Sequence, residues 1–154
     1  MAEMFITVDQ GFGDGGEPSI TKYYKSKKKE DEKYFLPIRS KVDEIINEII
    51  DQTAEDMLET TFFDAPNFLA LFAAIAFLKG YMPKSKVQEN VAELNGSGVD
   101  WHSGYQKLIK MSQALEDAAG NPHSDGPYAA FINATKSTTH RMSSRRPRFE
   151  AIVR

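Results

Sequence analysis

A chain of 154 residues, 41% hydrophobic and 11% aromatic, has apolar material for one folded domain and too much for wholesale disorder. Its net charge of −3 is unevenly spread: residues 1–36 sum to −1, 37–120 to −6 and 121–154 to +4. Cysteine is absent, which excludes disulfides, thiolate metal sites and cysteine nucleophiles.

Residues 1–35 read as an extended N-terminal arm or linker. Met4–Val8 is rich in branched and aromatic side chains and is expected to form a short strand. Its flanks carry acidic residues and no basic one, which is not the pattern of a signal peptide. The following Gly11-Phe12-Gly13-Asp14-Gly15-Gly16 formally contains G-x-G-x-x-G. A dinucleotide fold would continue into an apolar helix packed on a sheet, whereas here Glu17-Pro18-Ser19 and a lysine run follow, so a flexible turn is expected. Tyr23 to Lys33 carries lysines beside tyrosines, a pattern suited to a phosphate backbone and a stacked base, but Glu30-Asp31-Glu32 counters the charge and a solvated linker fits better.

A long amphipathic helix is expected from Pro37 to Leu58, about 22 residues and roughly 33 Å. Ile38, Val42, Ile45, Ile46, Ile49, Ile50, Thr53, Met57 and Leu58 form its inner face, and Asp43, Glu44, Glu48, Asp51, Glu55 and Glu59 occupy the others. Carboxylates one turn apart, such as Glu44 with Glu48, are read as a solubilising face, because a metal site would also want histidine or a convergent second helix.

Asp64–Gly80 is the organising stretch. From Phe68 to Leu78 it has no polar residue on any face, about half the length that a bilayer requires. Asp64 is the expected N-cap, Pro66 sits in the first turn, and Gly80 is placed to end the helix in a left-handed conformation. A helix that is apolar all round must be enclosed on every side. Ser85 to Gln88 fits a capping box opening a short helix through Val87, Val91 and Leu94. Asp100 then caps a helix whose face is Trp101, Tyr105, Leu108, Ile109, Ser112 and Leu115, stopped by Gly120-Asn121-Pro122. Either Pro127–Ala134 or a neighbouring subunit is expected to close the remaining side of the central helix.

Residues 135–154 read as a basic C-terminal arm. Arg141, Arg145, Arg146 and Arg148 precede Phe149-Glu150-Ala151-Ile152-Val153-Arg154, which alternates weakly and is expected to be a strand that docks. Arg141, Arg145, Arg146, Arg148, Phe149 and Ile152 are therefore the candidate partner-binding residues. The arginines suit a carboxylate face of a neighbouring copy or partner, or nucleic-acid phosphate.

Catalytic signatures do not emerge. His102, His123 and His140 share no helical turn, and neither a nucleophile elbow nor a phosphate-binding loop occurs. His123-Ser124-Asp125 has the residue types of a triad, but adjacent residues do not converge as the roles require. No catalytic, cofactor or metal residue is assigned, and a non-enzyme is expected.

The fold class expected is mainly all-α: four to five helices in residues 36–134 around a buried central helix, with extended arms before and after. This plan resembles the small linking proteins of large assemblies, such as minor capsid proteins of large icosahedral viruses or adaptor subunits of multiprotein machines. The resemblance implies a structural protein that binds other subunits through both arms, with self-association as a further expectation. Its location would be intracellular, in cytoplasm or nucleus, or in a virion, and away from membranes. The alternative is a nucleic-acid binder using the Lys-rich N-terminal linker and the Arg-rich tail.

Overall fold

The computed structural model describes residues 1–53, 57, 59–83, 89–119, 126–136 and 140–154. Its α-helices run in the order α1 (Ala2–Gln10), α2 (Glu17–Ser26), α3 (Glu32–Gln52), α4 (Ala65–Leu78), α5 (Glu89–Ala92), α6 (Trp101–Asp117), α7 (Ala129–Thr135) and α8 (Met142–Val153). A 3-10 turn, Thr61–Phe63, lies between α3 and α4. Among the described residues there is no strand, so the fold is all-α.

The central helix is α4, and Ala70 to Phe77 are all buried. Helices α1, α3 and α8 and the Thr61–Phe63 turn pack directly on it, and Leu108 and Met111 of α6 join the same apolar core. Its C-terminus closes as the glycine predicts. Gly80 adopts a φ of 72°, its N–H donates to the Phe77 carbonyl, and the Tyr81 N–H donates to Ala76. This 6→1 and 5→2 pair is the Schellman arrangement, open to glycine because it lacks a Cβ. The remaining carbonyls are met by the 95–98 turn: Gly96 N–H donates to Phe77, and Gly98 N–H to Leu78. The Asn95 side-chain amide bridges the carbonyls of Phe77 and Met82. Asp64 is the N-cap, but its side chain makes no cap hydrogen bond; its backbone carbonyl accepts from Asn67 and Phe68.

Helix α3 begins five residues before the expected Pro37 and ends at Gln52. The Asp31 carboxylate caps it by accepting from the Tyr34 N–H at 3.2 Å. Pro37 stands inside α3 on its exposed side. Ile38, Val42, Ile45 and Ile49 face the core as the spacing requires, while Ile50 is exposed. Leu58 and Glu55 lie outside the described residues, as do Ser85–Gln88 with its capping box, the 120–122 stop and His123-Ser124-Asp125. Asp100 caps α6 by accepting from the Ser103 N–H at 3.2 Å.

Both extended arms are corrected. Met4–Val8 is helical within α1, where Met4, Thr7 and Val8 share one buried face against α3 and α4. A strand must find a partner edge for its backbone groups, whereas a helix satisfies them internally and buries the same side chains. The Lys-rich segment begins in α2, which Pro18 opens and buried Tyr23 anchors, runs through a turn at residues 27–29 and ends in the first turn of α3. The Gly-rich stretch between α1 and α2 is a turn, but an anchored one: Phe12 is buried and stacks on Phe149 at 4.9 Å. The expected C-terminal strand is the second half of α8, whose Ser144, Arg145, Arg148, Phe149 and Val153 form the buried stripe. The side of α4 left open by the other helices is closed mainly by this tail, with α7 packed on α8 and Phe131 stacked on Phe62 at 5.6 Å.

Candidate functional site

The α8 arginines are brought together and turned largely inward. Arg145 Nη1 donates to Glu3 Oε1 at 3.0 Å, and its guanidinium lies 5.1 Å from the Phe12 ring centre. The same Glu3 oxygen accepts from the Gly16 N–H at 2.9 Å. Burial pushes the Arg145 pKa down, opposed by the charge and hydrogen bond of Glu3. Arg148 is 1% exposed; its Nε donates to the Ser144 carbonyl at 3.0 Å, and its Nη1 approaches Asn67 Oδ1 at 3.5 Å. Burial lowers its pKa too, with the Arg145 charge adding to the effect. Phe149 is enclosed between Phe12 and Phe77, the latter edge-on at 5.5 Å.

Of the six residues assigned to partner binding, Arg145, Arg148 and Phe149 thus serve the chain's own core. Arg141 is exposed, and Arg146 and Ile152 are half-buried. The tail docks, as its apolar end suggests, but on this molecule. Two backbone contacts hold its start: Gly15 N–H donates to the His140 carbonyl at 2.8 Å, and Met142 N–H to Asp14 at 2.7 Å. The Gly-rich turn therefore directs backbone N–H groups at an internal carboxylate and a carbonyl instead of a phosphate.

The carboxylates of α3 converge on a cation of the chain itself. Lys79 Nζ lies 2.8 Å from Glu44 Oε1 and 2.6 Å from Glu48 Oε2. The Tyr81 hydroxyl donates to Glu44 at 2.9 Å, and Trp101 Nε1 donates to Glu48 at 2.7 Å. The hydrogen bond from Lys79 holds the Glu44 pKa below its ordinary value, against a smaller desolvation effect. Among the described residues no group of three or more His, Cys, Asp or Glu side chains is placed to hold a metal ion. His102 and His140 are exposed and far from one another in the chain.

Helix α2 presents Lys22 and Lys25, and the turn after it Lys28 and Lys29, to solvent with the exposed ring of Tyr24. Lys27 is withdrawn from that set, pairing with Asp9 at 2.9 Å and with the Tyr34 hydroxyl. Buried Tyr23 has its pKa raised, first by desolvation and then by Asp9, and it offers no stacking face.

The outer side of α3 carries a different pattern. Lys33, Leu36, Ser40, Asp43, Asn47 and Ile50 recur at three- and four-residue spacing, and every one is exposed. Leu36 is 52% exposed and Ile50 61%, two of the four large apolar side chains that stand out most among the described residues. At the centre of the stripe Arg39 Nε lies 3.5 Å from Asp43 Oδ2. The sequence periodicity contains this stripe, but Ile50 is apolar and by spacing alone reads as part of the core face. No family model, curated protein or solved structure matches this chain.

Proposed function

We propose that the protein is a structural, interaction-type component of a larger assembly, and that it pairs with a second copy of itself through the outer face of α3. The observation that carries this reading is the stripe just described. Its two apolar residues stand fourteen positions apart, with small or polar side chains between them and an Arg39–Asp43 pair at the middle. Two such helices packed antiparallel about Asp43 set Leu36 of each copy against Ile50 of the other. Asp43 and Arg39 of both copies then alternate around the axis, so each carboxylate meets a guanidinium from across the interface. That arrangement is isologous and closes, as dimeric interfaces do. It replaces the extended-arm mechanism, because the arms are spent on the core.

Sedimentation equilibrium over a concentration series tests the proposal. The expected result is a reversible dimer that the Leu36→Glu/Ile50→Glu double variant abolishes while its helical circular dichroism is unchanged. A monomer at every concentration overturns it.

A second reading is favoured by exposed Tyr24 among the lysines of α2 and of the turn after it: contact with nucleic-acid phosphate and a stacked base. It requires binding that weakens steeply with salt and is lost when Lys25, Lys28 and Lys29 are replaced by glutamine. Binding that salt does not weaken excludes it.

A further inference from the structure

A cleft of about 310 Å³ lies between α4, α6, the 97–100 loop and the last turn of α8. Its walls are mostly apolar, with Leu71, Ile75 and Leu78 from α4, Trp101 and Leu108 from α6, and Ile152 from α8. The volume stands at the low end of the roughly 300–1,000 Å³ typical of small-molecule sites. Two cations line it, Lys107 and Arg154. Asp100 is the single side-chain carboxylate in the lining, and it is engaged in capping the α6 N-terminus.

Lys107 is the unusual member. It is half-buried, and its Nζ donates to the Ile152 carbonyl at 3.2 Å. Among the described residues no carboxylate oxygen lies within 4.0 Å of it. Burial lowers its pKa and the neighbouring Arg154 charge adds to the shift. An ammonium group partly out of water, beside a second cation and without a counter-charge, is stabilised by whatever anion enters the cleft. An apolar wall with a cationic end is complementary to a molecule with an apolar body and one anionic head. The wall also leaves room: a Cβ placed on Gly104, in the first turn of α6, would meet no heavy atom within 4 Å. Glycine inside a helix costs up to ~1 kcal/mol relative to alanine, so helix propensity does not account for it.

We propose that this cleft binds a small amphipathic monocarboxylate, its unbranched apolar tail lying against Leu71, Ile75 and Leu108 and its head group held by Lys107 and Arg154. A single carboxylate matches one desolvated ammonium group, and a second negative charge would meet Asp100 at the same rim. The inference is independent of α3 pairing, since the two surfaces share no residue.

Trp101 is the single tryptophan of the chain and lines the cleft, so its fluorescence reports occupancy. The full chain is titrated with decanoate below its micellar concentration, in parallel with calorimetry. The expected result is saturable one-to-one binding, with decanol weaker by at least about tenfold because it lacks the charge. Lys107→Met, which keeps an apolar stem, is expected to lose the preference for decanoate over decanol. Gly104→Phe fills the cleft and is expected to abolish binding of both, with its thermal unfolding temperature not lowered. The proposal is overturned if neither method detects saturable binding, if decanol binds as tightly as decanoate, or if Gly104→Phe binds normally. It is also overturned if a short apolar peptide with a free C-terminus binds more tightly than decanoate, which would mark the cleft as a protein-docking site.

Discussion

Glu3 and Arg145, 142 positions apart in the chain, meet through a 3.0 Å ion pair that ties the first turn of α1 to the first turn of α8. Both side chains are largely buried, at 18% and 9% exposure, so each depends on the other to compensate its lost hydration. Glu3→Gln leaves the Arg145 charge uncompensated and is expected to destabilise the fold by about 2–4 kcal/mol in urea unfolding. Gly15 sits directly over this pair. It lacks the left-handed φ of Gly11 and Gly16, yet a Cβ there would overlap both Arg145 Nη1 and Glu3 Oε1. Gly15→Ala should therefore break the same contact. In a double-mutant cycle the two losses are expected to be non-additive by about 1 kcal/mol or more. Full additivity would show that Gly15 acts elsewhere.

Phe149 closes the core from the far end of the chain, held between Phe12 and Phe77 with no exposed surface. Phe149→Ala removes both ring contacts and leaves a cavity beside α4. The expected loss is about 3–5 kcal/mol, a large share of the stability of a single domain. Chemical denaturation measures it. A loss below about 1 kcal/mol would contradict the docking of α8, since an undocked tail contributes little.

The Lys79–Glu44–Tyr81 cluster gives the acid limb of the stability profile a defined sign. The Glu44 pKa is lowered from 4.5, chiefly by the hydrogen bond from Lys79 and with help from Tyr81. A group whose folded pKa is depressed contributes stability that is fully present above the unfolded value and is lost as pH falls through the folded one. Native protein should therefore exceed Glu44→Gln in unfolding free energy above about pH 5, with the difference shrinking toward zero as the solution is acidified. A difference that grows on acidification would refute this assignment.

The Asp64–Gly80 stretch, the Asp100 cap and the inner face of α3 were legible in the sequence because each is a short-range property. A cap, a glycine stop or a 3.6-residue periodicity acts within a few turns of helix. The α8 stripe was not legible, since Arg145 and Arg148 look like solvent-facing residues until the Glu3 carboxylate and the Ser144 carbonyl are seen beside them. The cleft was equally hidden. Lys107 acquires its meaning from Leu71, Ile75 and Ile152, which belong to elements distant in the chain.

The sequence by itself determined that this protein is mainly helical and built around one helix that must be enclosed. It could not determine which elements enclose it. Short segments such as Met4–Val8 and Phe149–Val153 carry apolar residues compatible with a strand or with one helical face, and their local preferences differ little. Tertiary structure decided between them. The exposed flank of α4 offered a surface to bury apolar side chains, and no neighbouring strand among the described residues offered an edge to pair with. Helix formation then satisfied the backbone of α1 and α8 internally while Phe12, Phe77 and Phe149 completed the core.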